Sequence, residues 1–232
     1  MTQSKKISLS LKGALKFYII LYLLLLFFNC LAIFVEYGLN IDHDYKKGFV
    51  KLFDFDAEEN VPTLFSVLLI LQASVICIVV GFQVLKDQNY WFVLAFFLSF
   101  IALDEYVSIH ERLIGPVRSA LSTSGFFYYA WIIPYGIVGL IVGAFFLGWL
   151  LRLPKSTRIG FIKSGLIYFT GAFLIEGIGG WYYSYYLERN VIYSLITTVE
   201  ESFEMIGLLT FLYFVTKFLI TEVGIKQVEL AG

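Results

Sequence analysis

Six stretches of about twenty or more mainly apolar residues leave this chain few ways to fold, because each is long enough to cross roughly 30 Å of hydrocarbon at 1.5 Å per residue. They fall at about residues 15–36, 63–85, 90–113, 128–152, 159–183 and 193–220, with a long loop at 37–62 between the first two. In a bilayer each backbone N–H and C=O must be satisfied within the protein, and runs of this length do so as helices. The expectation is an all-α polytopic membrane protein, one domain over residues 1–232 with six transmembrane helices in one bundle. Composition agrees: 59% of residues are hydrophobic and 15% charged, whereas a soluble domain is nearer half apolar and a quarter charged. The short Lys86–Asn89 connection makes the second and third runs a tight helical hairpin.

Basic residues set the orientation. Met1 to Lys16 carries four lysines and no acid, and no small-residue cleavage site follows, so the first run reads as an uncleaved span. With that end inside, eleven of the 17 Lys and Arg residues fall on the cytoplasmic side, including the Leu153–Arg158 loop, and six fall outside. Both termini are therefore expected in the cytoplasm. The net charge of −1 gives no reason to expect a nucleic-acid partner. Cys30 and Cys77 lie in apolar runs and read as small core residues. With only two histidines, His43 and His110, the chain cannot build a three-histidine zinc site or a His-rich oxygenase cluster by itself.

Against this background the acids stand out. Asp104, Glu105 and Glu111 lie at the outer end of the third run, beside His110. Glu176 lies about two turns from the outer end of the fifth, and Glu200, Glu201 and Glu204 two to three turns below the outer end of the sixth. Seven carboxylates from three runs thus share one level, on one side. Each costs about 2.5–3.5 kcal/mol at the bilayer centre, so something must neutralise them.

Helical geometry shows which can meet. At about 100° per residue, Glu200, Glu201, Glu204 and Thr197 share one face of the sixth helix, and Asp104, Ser108 and Glu111 one line on the third. His110 and Glu105 fall to opposite sides of that line, so both can enter one site only if the helix unwinds; the expectation is Asp104, Glu111 and His110 inside, with Glu105 nearer a neighbouring helix or Arg112. Protons could neutralise the cluster, since crowded carboxylates resist ionising together. A divalent cation could do so better: carboxylates with one imidazole suit Fe, Mn or Zn. The paired Glu-x-x-His spacing of bundle di-metal sites is absent.

Three motifs carry a resemblance. Asn60-Val-Pro-Thr63, Leu103-Asp-Glu with His110-Glu-Arg-Leu113, and Glu200-Glu-Ser-Phe-Glu-Met-Ile-Gly207 together resemble an uncharacterised family of bacterial six-helix membrane proteins. The resemblance covers most of the chain and implies the fold, the site and a bacterial inner membrane with the site facing outward, but no reaction.

The first functional expectation is a membrane-embedded metal site with Asp104, His110, Glu111, Glu200 and Glu204 as ligands and Glu176 and Glu201 as catalytic proton-transfer groups. Such a site would serve a metal-dependent oxidoreductase or hydrolase acting on a lipid-like or quinone-like molecule that enters from the bilayer. The alternatives are a proton- or cation-coupled transporter using the same acids, or an accessory subunit of a larger membrane complex. Asp54, Asp56, Glu58 and Glu59 read as a solvated outer face, with Glu59 and Asn60 placed to cap the second span. His43 reads as a solvated loop residue, Tyr182–Tyr186 as an aromatic belt, and Gly139, Gly143, Gly177, Gly179 and Gly180 as points of close helix packing.

Overall fold

The computed structural model describes residues 6–8, 10–39, 44–224 and 227–229; His43 and the basic residues Lys5 and Lys226 lie outside the described residues. In chain order the elements are β1 (Lys6–Ser8), α1 (Leu11–Gly38), α2 (Asp44–Phe53), α3 (Val61–Gln83), α4 (Gln88–Val107) and α5 (Ile109–Leu121). After a 3₁₀ turn at Gly125–Phe127 come α6 (Ile132–Arg152), α7 (Lys155–Phe169), a π-helical segment (Thr170–Ile175), α8 (Glu176–Tyr186), α9 (Val191–Thr221) and β2 (Gln227–Glu229). Six helical stretches are long and apolar enough to cross a membrane, in keeping with a multi-pass integral membrane protein: α1, α3, α4, α6, the continuous α7–α8 and α9. The β1–β2 pairing, antiparallel, brings the two ends of the chain together at one end of the bundle.

The helix starts follow from capping chemistry. Ser10 Oγ accepts from Gly13 N at 3.2 Å, and Asn190 Oδ1 accepts from Ile192 N and Tyr193 N at 3.0 and 3.1 Å. The Asn-x-Pro-Thr motif is a cap as well. Asn60 Oδ1 accepts from both the backbone N–H and the hydroxyl of Thr63 at 3.0 Å, and Pro62 occupies the first turn, where it needs no amide. The Asn60 amide also donates to Asp54 O at 2.7 Å, tying the loop to the start of α3.

Three features depart from the sequence expectation. The third run ends as a spanning helix at Val107, not near 113, and the chain continues as the separate amphipathic α5. The loop at 37–62 contains a second amphipathic helix, α2. The fifth span carries the π-helical insertion.

Packing differs between the two ends of the bundle. At the end away from the acids, Trp91 is almost fully buried, with ring centroids 5.0 Å from Trp149 and 4.9 Å from Phe218, and Tyr90 stacks on Trp149 at 5.8 Å. These rings, with Phe146 and Phe161, fill that end of the core. Helices α7 and α9 approach closely: a Cβ on Gly207 would lie 2.8 Å from the backbone nitrogen of Tyr168. By contrast α6 buries only Ile132, Phe146 and Trp149. Nothing lies within 4 Å of a Cβ built at Gly139 or Gly143, so the close packing expected there is not formed.

Candidate acid–base site at one end of the bundle

The site begins with the break between α4 and α5. Ser108 sits at φ +53°, ψ +48°, a left-handed conformation that costs a residue other than glycine on the order of 1–3 kcal/mol. Asp104 offsets that strain. Its Oδ1 accepts from His110 N at 3.0 Å and from the Tyr135 hydroxyl at 2.6 Å, while Oδ2 meets His110 Nδ1 at 2.9 Å. The carboxylate thus caps α5, orients the imidazole and joins α4 to the first turn of α6.

His110 lies against aromatic rings, its centroid 4.9 Å from Trp131 and 6.3 Å from Tyr135. It belongs to α5, beyond the spanning part of α4. Burial among the rings would lower its pKa, but the hydrogen bond and charge of Asp104, helped by Glu105 and Glu58, raise it to about 9. At neutral pH the imidazole is therefore protonated, facing Asp104 and held as a proton donor.

Trp131 links this pair to the next. Its Nε1 donates to Glu176 Oε1 at 2.8 Å, and Glu176 lies within hydrogen-bonding reach of the Glu200 carboxyl. Two carboxyl groups in contact require a proton on one of them. One turn further along α9, Glu204 has the Tyr168 phenol within reach. A glycine makes this possible: a Cβ at Gly171 would lie 2.7 Å from Glu200 O and 2.9 Å from Glu204 Cγ. The π-helical insertion that includes Gly171 adds a residue just before Glu176, turning that carboxyl by about 100° relative to an uninterrupted α-helix.

Glu201, Glu105 and Glu58 complete the group, since the charge of Glu105 bears on Glu204, Glu201 and Glu58. Glu58 precedes α3, within reach of the Ser108 hydroxyl; burial, then the charges of Glu105 and Glu111, push its pKa up to about 8.

The structure brings Asp104, His110, Glu176, Glu200, Glu201 and Glu204 to one end of the bundle, as the helical geometry required. One placement differs from expectation, because the chain turns at Ser108: Glu111 is exposed on α5 and not turned inward. Glu105, on α4 before the turn, faces a neighbouring helix, α9, and its acids. The donors are also divided among separate hydrogen-bonded groups. Among the described residues, no set of three or more His, Cys, Asp or Glu side chains converges as metal ligands would, so this arrangement does not fit the expected Fe, Mn or Zn.

Aromatic and loop partners were missing from the sequence reading. Tyr135, Trp131 and Tyr168 bond to or face the acids, and their only signal was a position near a run end, which a headgroup belt explains equally well. Asn29 was missed too. It is fully buried in α1, donates to Thr198 Oγ1 at 2.8 Å and accepts from Phe55 N at 2.9 Å, which fixes the 54–60 loop over the site. Its signal was present: a lone amide deep in an apolar run.

That loop is not the solvated face expected. Asp56 pairs with Arg189 at 2.6 Å and accepts from the Tyr193 hydroxyl at 3.2 Å, which lies 2.6 Å from the Tyr129 hydroxyl. Glu59 remains exposed, and Asn60 alone makes the cap. Gly177 and Gly180 do serve close packing, against the rings of Phe126 and Tyr129 and not against another helix.

No curated protein and no solved structure matches the chain. The family described as "Domain of unknown function (DUF8692)" matches residues 17–218, a stretch that reaches into all six spans and contains every member of the acid cluster, and the chain belongs to that family.

Proposed function

We propose that this protein performs acid–base chemistry within the membrane, on a lipid-like or quinone-like molecule that reaches the site laterally from the hydrocarbon layer. His110, held by Asp104 and Tyr135, is the proton donor nearest the substrate, and Glu176, Glu200 and Glu204 store and pass protons behind it. The observation that carries this reading is the pair of linked networks, Tyr135–Asp104–His110 and Trp131–Glu176–Glu200, gathered at one end of the bundle. A proton-transfer site needs groups held within hydrogen-bond reach of one another, and these are.

Two further observations bear on the substrate and on the alternatives. A wholly apolar groove of about 410 Å³ runs between α5 and α6, lined by Pro116, Val117, Ala120, Leu121, Ile133, Pro134 and Ile137. A hydrocarbon tail could lie there, on the two helices, α5 and α6, that also carry His110 and Tyr135. The aromatic packing around Trp91 and Trp149 closes the other end of the core, which favours chemistry at a one-ended site over a path for transport. The distribution of basic residues supports an orientation with the site end facing outward.

The test is mass spectrometry of lipophilic molecules extracted from protein purified in lipid nanodiscs. A prenylated or acylated compound enriched over bulk lipid in wild type, and lost when Ala120→Trp fills the groove, supports the proposal. Extracts identical to bulk lipid in both would overturn the lateral-substrate reading.

A further inference from the structure

If the buried acids exchange protons with a substrate, they need a route to water, and the end of the core around Trp91 and Trp149 offers none. The opposite end offers an ordered one. Arg189 is largely exposed and holds Asp56 Oδ2 at 2.6 Å, so the ion pair meets solvent. From Asp56 the hydrogen bonds lead inward. Tyr193 donates its hydroxyl to Asp56 Oδ1 at 3.2 Å, and because that single proton is used there, the 2.6 Å contact with Tyr129 is donated by Tyr129. Three oxygens thus form one polarised chain, Tyr129 to Tyr193 to Asp56.

The inner end of that chain stands over the carboxyl pair. Tyr193 and Glu200 are seven residues apart on one face of α9, about 10 Å along its axis. The Tyr129 ring packs on Gly180, where a Cβ would lie 3.0 Å away, and Gly180 is one turn, about 6 Å, beyond Glu176. Between them, Gly179 faces the Glu200 carboxyl: a Cβ there would make ordinary contact with Ile196 Cγ2 at 3.6 Å and with Glu200 Oε2 at 3.9 Å. Water would bridge the interval from the Tyr129 hydroxyl to the carboxyl pair. The charge of Glu176 bears on both Tyr129 and Asp56 across it.

We propose that Asp56, Tyr193 and Tyr129 form the proton relay that joins bulk water to the Glu176–Glu200 carboxyl pair. The proposal rests on the acid–base reading above and adds the route to it. As oriented, the chain passes a proton outward: Tyr193 gives its hydroxyl proton to ionised Asp56, Tyr129 gives its own to Tyr193, Tyr129 is refilled from the Glu176–Glu200 pair, and Asp56 releases its proton to water. Inward transfer uses the same oxygens after both hydroxyls have turned the other way. At each phenol one O–H bond forms as another breaks, so neither is left ionised. Asp56 suits the outer position: burial raises its pKa to about 7 against the opposing charge of Arg189, with Asp54 and Glu176 adding to the rise and the Tyr193 hydrogen bond reducing it. It can therefore load and unload near neutrality. The two phenols are positioning residues for proton passage, and neither touches the substrate.

The experiment is hydrogen–deuterium exchange of the full-length protein in lipid nanodiscs, followed through the infrared carbonyl band of protonated carboxyl groups after transfer to D₂O. The band is assigned with Glu200→Gln. With the relay intact, the band shifts quickly in wild type and in the exposed-site control Glu188→Gln. In Tyr193→Phe and Asp56→Asn it slows by about tenfold or more, an added barrier of about 1.4 kcal/mol. Tyr129→Phe breaks the same chain one link further in and serves if Tyr193→Phe does not fold. Exchange at the wild-type rate in Asp56→Asn and in either folded phenylalanine variant overturns the relay but leaves the acid–base site standing. Absence of any protonated-carboxyl band in wild type overturns both.

Discussion

Replacing Asp104 with asparagine is the most informative perturbation of this site, because it keeps the shape of the hub and removes its charge. Asparagine can still accept from His110 N and Tyr135, the two contacts made to Oδ1 in wild type. It cannot hold the imidazolium. The gap between an ordinary histidine at 6.5 and His110 at about 9 corresponds to roughly 3 kcal/mol, at about 1.36 kcal/mol per pH unit. Burial works in the opposite direction, against the remaining charges of Glu105 and Glu58, so without Asp104 the histidine should titrate well below 9. The consequence for stability has a definite sign. In wild type the folded pKa lies above the unfolded one, so the pair's contribution is present in full below about pH 6.5 and is lost as pH rises through about 9. In Asp104→Asn the folded pKa moves down toward the unfolded one, and that pH-dependent contribution shrinks. The assay is a side-chain NMR titration of histidine-labelled protein, simple here because the chain holds two histidines and His43→Gln removes the second signal. A wild-type His110 titrating at 6.5 or lower, or one that Asp104→Asn does not move, would refute the argument.

The remaining predictions concern packing, the loop, and pH. Gly171→Ala places a methyl 2.7 Å from Glu200 O and should destabilise the protein by about 1–3 kcal/mol in reversible unfolding. Gly165→Ala, which meets nothing within 4 Å, should be neutral or slightly stabilising in the same assay. Asn29→Leu leaves Phe55 N without its buried partner, while the Thr198 hydroxyl keeps its bond to Ser194 O, at a cost of about 1–3 kcal/mol for the one group left unsatisfied; backbone exchange at Phe55 should then speed up, and unchanged protection there would remove the tethering role. Asp56 adds stability that is full below about pH 3.8 and lost as pH rises through about 7. Asp56→Asn should flatten that part of the thermal-stability profile, and an unaltered profile would count against the buried placement of Asp56.

Much of this arrangement could be read from the chain because membrane burial writes large signals. Apolar run length located all six spans to within a few residues at most ends, and the depth of Glu176, Glu200, Glu201 and Glu204 followed from counting turns. Breaks in the helices were harder. Nothing in the composition around Ser108 marks a left-handed residue; the break is stabilised by Asp104 capping α5, a contact visible only once the chain has turned. That turn carries Glu111 out to the surface of α5, so one unread dihedral reversed its placement. The π-helical insertion before Glu176 has the same character, since a single added residue leaves apolar periodicity nearly intact. Asp56 and Glu58 were misplaced for a different reason: their burial depends on Asn29, more than twenty residues earlier, drawing Phe55 down onto the bundle. Metal ligation was read from donor types at a shared depth, which does not say whether the donors converge; among the described residues no set of three or more does.

The proposal that protons neutralise the buried acids underlies the acid–base reading of the site. Its most direct test is the equilibrium infrared spectrum of chelator-free protein at neutral pH, with glutamate carrying a ¹³C-labelled side-chain carboxyl group. The account predicts protonated-carboxyl carbonyl bands that move with the label and diminish in turn in Glu200→Gln and Glu204→Gln. A spectrum with only ionised carboxylates, unchanged in position by either substitution, would contradict it.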